Sequence, residues 1–339
     1  MAVRRCGYTE LYTGDPESVV GYFASAFGFS EVAHARSDDL QSTHLQCGRM
    51  NLIVSTGRAT REFTELHGDG VADIAFVCDD PGATRRSALA AGAEPAGAGA
   101  VSAFGAVQHT LLPPAAGDRP AGRPWLPTGA GPAGAVPAET VGGHVMELDH
   151  IAVCLAAGEL KGCADLFATG FGMDRYSSEY IEVGTQAMES IVSRNAAGTV
   201  TFTFLEPDPN RDAGQVDAFV ARNGGPGVQH LAFLVDDIIS SVREVRARGV
   251  EFLNTPDAYY RAVAARLGAM TEQIADLRDA GVLADRDEWG YLLQLFTRSP
   301  HPRGTLFYEL IQRHGARGFG SANIRALYES VERDRSGPE

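Results

Sequence analysis

Three residues in the C-terminal half are metal-ligand types set singly into apolar runs. They are His150 in LDHIAVCL, His230 in VQHLAFLV and Glu309 in TLFYELIQ, separated by 80 and 79 positions. The runs have strand length and composition, so each donor is expected on a strand. A lone histidine in a strand is usually a hydrogen-bonded core residue. A carboxylate between Tyr308 and Leu310 is harder to place, because a buried charge is costly unless it is paired or bound to metal. Taken together, two imidazoles and one carboxylate form the facial triad of non-haem Fe(II) oxygenases, which leaves adjacent coordination positions for substrate and oxygen. Zinc or manganese could use the same donors, since affinity alone does not select iron.

Polar residues in apolar surroundings extend the set. Gln229 precedes His230, Gln294 lies in YLLQLFT, and Gln215 follows the loop EPDPNRDAG. A buried amide needs partners, and a polar substrate can supply them, although neighbouring backbone could equally satisfy Gln215. In TVTFTFLEP, strand alternation sends Phe202 and Phe204 to one side and Thr201, Thr203 and Leu205 to the other. The mixed face is expected to be a pocket wall. His109, in AVQHTLLPP, falls on a strand matching that of Glu309, but its half has no second histidine in place, so it is expected to be structural. There is no GxGxxG, Walker loop or GxSxG elbow, which argues against nucleotide and serine-hydrolase chemistry.

The elements that must position these residues come from a duplication. Residues 70–80 read GVADIAFVCDD and residues 227–237 read GVQHLAFLVDD, 157 positions later, and the same offset aligns Gly92 with Gly249. Asp73 stands in the first copy where His230 stands in the second. Each copy predicts a strand, an aspartate N-cap, a helix and a closing glycine, with Pro81 at the first helical position in the first copy. YFASAFGFSEV and LFATGFGMDRY form a second echo, each ending a helix at Phe-Gly and entering a strand. Residues 113–143, rich in Pro, Gly and Ala, show neither helical nor strand periodicity. The expected organisation is a first domain over 1–115 without metal, a linker over 116–146, and a metal-binding domain over 147–339. The second domain adds an amphipathic stretch over 258–280 and a C-terminal helix with Ile324, Leu327, Tyr328 and Val331 on one face, placed to act as a lid.

Length and composition bound the rest. At 339 residues with 44% hydrophobic and 21% charged residues, the chain suits two folded domains. A net charge of −14 argues against nucleic-acid and anionic-membrane partners. Five cysteines without a CxxC spacing suggest neither a disulfide framework nor a zinc ribbon. With no signal-like or bilayer-spanning apolar run, a cytoplasmic location is expected. Monomer and homo-oligomer both stay open.

GGPGVQHLAF, YLLQLFTRSPHPRGTLFYELIQR and GFGSANIRALYESVE resemble the 4-hydroxyphenylpyruvate dioxygenase family, in outline over the whole chain and strongly over 148–333. The resemblance implies an α+β fold of two tandem vicinal-oxygen-chelate domains. Each would pair βαβββ modules into an open mixed barrel with helices outside, and a C-terminal helix would gate the second. It implies Fe(II) on His150, His230 and Glu309, with 4-hydroxyphenylpyruvate and O2 as the small-molecule partners. It also implies that Ser190, Gln215, Gln229 and Gln294 are polar pocket residues and that Phe296 and Phe319 flank the substrate ring. Where the dioxygenases typically read PLNEP, this chain reads TFLEP, so Leu205 replaces an amide and Thr203 lies beside it. Where they read GNF, it reads ANI, so Ile324 replaces an aromatic. Both departures resemble the hydroxymandelate-forming branch, because losing the amide and the ring changes how the substrate's aromatic end is held. The implied reaction is oxidative decarboxylation with benzylic hydroxylation, giving 4-hydroxymandelate and CO2, and the implied setting is hydroxyphenylglycine supply for peptide antibiotics. The alternatives are homogentisate formation on the same site and a non-enzymatic binding protein of the same fold, which would not need the triad.

Overall fold

The computed structural model describes residues 3–97, 99–128, 145–257, 259–261, 263, 273–320, 323 and 325. Four modules of one kind follow each other. The first is β1 (Val3–Tyr12), α1 (Pro16–Phe27), β2 (Ser30–Arg36), β3 (Gln41–Cys47) and β4 (Met50–Thr56). After α2 (Arg61–His67), the second runs through β5 (Gly70–Cys78), α3 (Pro81–Ala90), β6 (Glu94–Pro95), β7 (Ala100–Phe104) and β8 (Val107–Leu112). The third is β10 (Val145–Cys154), α4 (Leu160–Phe171), β11 (Met173–Val183), β12 (Gln186–Asn195) and β13 (Thr201–Pro207), with β9 (Trp125–Pro127) preceding it. After α5 (Gln215–Asn223), the fourth comprises β14 (Gly227–Val235), α6 (Ile238–Ala247), α7 (Ile274–Ala280), β15 (Leu283–Arg286), β16 (Tyr291–Phe296) and β17 (Phe307–His314).

The local signals act as expected. The Asp80 side chain accepts from the Ala83 amide at 2.8 Å, and Asp237 accepts from the Ser240 amide at 3.1 Å, so helices α3 and α6 of the second and fourth modules start on their aspartate caps. Helices α1 and α4 both stop at a glycine in the left-handed region, Gly28 at φ 73° and Gly172 at φ 70°, a turn that a side chain would strain.

Modules pair through their first strands. The antiparallel β10–β14 pair joins β13 on one side and β17 on the other, both parallel, giving the order β11-β12-β13-β10-β14-β17-β16-β15. The first sheet repeats the plan as β6-β7-β8-β5-β1-β4-β3-β2, with β9 added at the edge. Both sheets curl into open mixed barrels, and the fold is the α+β arrangement of tandem paired modules.

Residues 116–128, expected to be linker, pack on the first sheet. Trp125–Pro127 pairs with β2, and Arg123 forks onto buried Glu10 at 2.7 and 2.8 Å. A three-residue strand carries no readable period, and this one is set by the inserted arginine. Residues 129–144 lie outside the described part, and β10 already begins at Val145. Most of 258–280 and nearly all of the expected C-terminal helix, including Ile324, also lie outside it.

The outer faces of the two sheets meet in an aromatic core. Phe76 of β5 lies edge-on to Phe202 of β13 at 5.9 Å, and Tyr308 of β17 stacks on Phe233 of β14 at 5.6 Å while touching Phe23 of α1 at 5.0 Å. Helix α3 lies so close to α4 that a Cβ on Gly170 would stand 2.9 Å from Ala88 Cα. His109 is structural, as expected: fully buried, it stacks on Phe76 at 5.1 Å, and burial pushes its imidazole down to about 3. Strand alternation therefore points Phe202, Phe204, Phe233 and Tyr308 into the core between the sheets. Thr203, Leu205, His230 and Glu309 are left facing the interior of the second barrel.

Candidate metal centre

Strand register brings the three donors together. His150 pairs with Ala232, and Ala232 pairs with Glu309, while Ala152 pairs with His230. On a pleated sheet these positions share one face. All three side chains are buried, and one potential ligand atom from each lies within 4.8 Å of the others. Glu309 Oε2 is 3.3 Å from His150 Nε2 and 3.2 Å from His230 Nε2, yet no hydrogen bond is aimed at it. Adjacent corners of an octahedron with ~2.1 Å bonds are about 3 Å apart, so the two carboxylate–imidazole spacings suit neighbouring positions on one metal.

The surroundings fix which atoms face inward. His150 Nδ1 lies 2.9 Å from Asp149 Oδ1, and His230 Nδ1 lies 3.1 Å from Gln229 Oε1. Each outer partner is an acceptor, so it accepts a hydrogen bond from Nδ1–H, which keeps the proton there and leaves the Nε2 lone pair facing Glu309. Gln294 Nε2 donates to Glu309 Oε1 at 2.7 Å, which leaves Oε2 free to ligate. Three acceptor atoms therefore converge with no donor between them, an arrangement that calls for a cation. Protonation answers the same demand. Burial alone would lower His150, but Glu309 and Asp149 outweigh it and raise the imidazole to about 9. Burial alone would raise Glu309, but the histidines bring it down to about 2. His230 moves the other way, lowered by burial despite the same carboxylate. The donor set fits a divalent metal.

The other expected residues that are described lie on the elements of the second barrel. Phe319 stands edge-on to His150 at 5.0 Å, and Phe296 to His230 at 5.8 Å. Ser190 pairs with Leu205 across β12 and β13 and shares its face with Thr203, whose buried hydroxyl has no protein partner. Gln215, the first residue of α5, lines a cavity of about 370 Å³ together with Gln229, Phe219, Leu253 and Phe307. Phe307 also stacks on His230 at 5.0 Å, so cavity and metal centre share a wall. Ile324 cannot be placed among the described residues.

Several residues at the site were not anticipated from sequence. Asp149 and Arg313 support His150, Phe307 covers His230, and Asn323 donates to Gln294 Oε1 at 2.9 Å while accepting from Tyr259. Two carried readable signals: Asp149 is a charge beside His150 in an apolar strand, and Phe307 lies two positions from Glu309, hence on its face.

Comparison with known proteins agrees with this geometry. Residues 147–295 match the Glyoxalase/Bleomycin resistance protein/Dioxygenase superfamily. A 4-hydroxyphenylpyruvate dioxygenase from Neurospora crassa is 33% identical over 298 residues, covering 81% of this chain and 72% of the relative. The chain belongs to the 4-hydroxyphenylpyruvate dioxygenase family. A relative of the same description from Aspergillus fumigatus is 28% identical over 97% of the chain and 93% of its own length. Among solved structures, a triply substituted 4-hydroxymandelate synthase from Streptomyces coelicolor is similar at 47% identity and TM-score 0.87, covering 98% of this chain and 99% of the other. The family is one of metal-dependent dioxygenases, and the His–His–Glu cluster is where this member could hold its metal. No helix among the described residues is long and apolar enough to cross a membrane.

Proposed function

We propose that this chain converts 4-hydroxyphenylpyruvate and O2 to 4-hydroxymandelate and CO2, with Fe(II) on His150, His230 and Glu309 and the second barrel as the catalytic unit. The observation that carries the proposal is the 47% identity to a hydroxymandelate synthase over nearly the full length of both chains, with three acceptors converging at the family's centre. Hydroxyphenylglycine supply for peptide antibiotics is the corresponding setting. Bound Fe(II) would anchor the 2-oxo acid and activate O2, the substrate providing two of the electrons through decarboxylation.

The chain's own residues supply the rest. Asp149 and Gln229 hold the imidazoles in the ligating tautomer, and Gln294 aims Glu309. Phe296, Phe307 and Phe319 surround the histidines with apolar surface that excludes water and accepts an aromatic ring. The Thr203 hydroxyl, buried without a protein partner, is one polar group left for the ligand. Leu205 packs with Cys154, Met188, Phe219 and Phe296, so that stretch of wall offers no hydrogen bond to the ring. A ring held by packing alone can present its benzylic carbon to the oxidant. The curated dioxygenase relatives favour homogentisate as the second reading.

The test is product analysis with purified protein, Fe(II), ascorbate, air and 4-hydroxyphenylpyruvate. Hydroxymandelate as main product is expected. Homogentisate would overturn the product assignment, and no turnover would overturn the substrate. Replacing Leu205 with Asn and Ile324 with Phe together should move product toward homogentisate, and an unchanged ratio would refute the role given to those two positions.

A further inference from the structure

We propose that Arg313 is a positioning residue that sets the ligand His150 and the wall over it at the same time; this rests on the metal assignment above. Arg313 lies on β17, four positions beyond Glu309 and so on the same strand face. Its fork grips Asp149 with both arms, Nε to Oδ2 at 2.6 Å and Nη2 to Oδ1 at 2.7 Å. Asp149 Oδ1 is the atom that accepts the hydrogen bond from His150 Nδ1–H. The remaining nitrogen, Nη1, donates to the Gly318 carbonyl at 2.7 Å and to Ala316 at 3.3 Å. The guanidinium also lies 5.1 Å from the Phe319 ring centre, and that ring stands against His150.

One planar cation therefore closes a loop of contacts from His150 through Asp149 and Arg313 to residues 316–319 and back to His150. The two ends cannot be adjusted independently. Pairing with Arg313 lets a buried carboxylate stay ionised behind the ligand while the Asp–Arg unit remains neutral overall. Bidentate geometry fixes the carboxylate plane, and with it the direction of the Nδ1–H bond and the imidazole. Lysine could supply the charge but neither the fork nor the third arm. If the 316–319 segment moves, the arginine loses an anchor, and the ligand's support loosens with it.

The test uses full-length protein stripped of metal and titrated with Co(II), read by its visible absorption, so that it does not depend on turnover. Arg313→Gln should weaken Co(II) binding about 10- to 100-fold and speed amide exchange over 316–319. Asp149→Asn should weaken binding to a similar degree, and the double variant should be no worse than the weaker single, because both act along one path. Arg313→Lys should recover thermal stability without recovering affinity, and it carries the test if the glutamine variant does not fold. Co(II) affinity within about twofold of wild type in folded variants, or losses that multiply in the double variant, would overturn the proposal. Failure of the unaltered protein to bind Co(II) would instead overturn the metal assignment.

Discussion

The two barrels share one frame and differ in the balance of donors and acceptors at its centre. Glu10 pairs with Asp73 as Ala152 pairs with His230, and Asp73 pairs with Gln108 as His230 pairs with Phe307. Counting along the strands, Tyr8, Asp73 and Thr110 stand where His150, His230 and Glu309 stand, so Thr110 rather than His109 takes the place of Glu309. In the first barrel these residues satisfy one another. Asp73 accepts from the Tyr8 hydroxyl at 3.0 Å, the Thr110 hydroxyl at 2.6 Å and the Thr110 amide at 3.0 Å. Beside them, Arg123 enters from outside the module and binds Glu10, Ser42 and Ser55. By the same register, Ser55 corresponds to Leu205. In the first barrel a guanidinium thus closes on the polar groups beside the centre, whereas in the second the guanidinium of Arg313 is spent on Asp149 behind His150 and three acceptor atoms are left facing one another. On the metal assignment proposed above, the site lies in the barrel whose central acceptors do not close on a neighbouring donor.

The largest effect should come from removing that asymmetry at Glu309. Glu309→Gln replaces an anionic ligand by an amide, and its loss of metal affinity and turnover should exceed the ~10- to 100-fold that follows removal of an outer partner. Chelation should likewise abolish turnover, and Fe(II) should restore it. The matching change in the first barrel, Thr110→Val, should leave Fe(II) binding by calorimetry untouched. Equal effects in the two barrels would break the comparison.

Arg123 tests the other side. Its side chain is 18% exposed and that of Glu10 is 2%, so Arg123→Ala strands a buried carboxylate. A cost of about 3 kcal/mol is expected, seen as a lower Tm in thermal unfolding, with kcat and metal affinity unchanged. A fall in kcat without loss of stability would mean that the first barrel takes part in chemistry.

Asp73 sharpens the point through pH. Burial is the main cause raising its carboxyl to about 6, against the lowering effect of its hydrogen bonds. Between the unfolded value near 4 and about 6, the folded state holds a proton that the unfolded state has lost, so stability falls as pH rises through this window. The contribution is fully present below about pH 4 and lost above about pH 6, up to about 3 kcal/mol in all. Asp73→Asn mimics the protonated form. Its Tm should exceed that of the wild type at pH 8, and the gap should close by pH 4. A gap that does not change with pH would refute the shift.

Much of this contrast was legible in the sequence. The 157-residue offset exposed the duplicated frame, and His150, His230 and Glu309 stood out because each interrupts an apolar strand. The aspartate caps and the side-alternation of TVTFTFLEP also transferred directly, since they depend on neighbours in the chain. What did not transfer depends on contacts distant in sequence. Arg123 lies 113 positions from Glu10, in a stretch whose composition reads as linker. Arg313 lies 164 positions from Asp149 and is one arginine among many. Nothing local marks such residues, because their role is created by the partner the fold delivers.

The smallest effect, and the finest test, lies at Thr203. Its register partner in the first barrel is Ile53, fully buried and packed with Tyr8 and Ala75, so an aliphatic group is the natural filling of this position. Thr203 instead buries a hydroxyl with no protein partner. An unsatisfied buried hydroxyl costs about 1 kcal/mol or more, a cost that is retained only where something else completes the bond. Thr203→Val keeps the shape and removes the hydroxyl. If the hydroxyl serves neither substrate nor fold, the variant should be neutral in both stability and activity. If it waits for substrate, the variant should gain about 1 kcal/mol in thermal stability and lose about tenfold in kcat/KM, with metal affinity unchanged. Opposite signs on stability and activity would mark Thr203 as a ligand-facing departure from the packed pattern of the first barrel. Losses in both would instead show that the hydroxyl holds the strand in place.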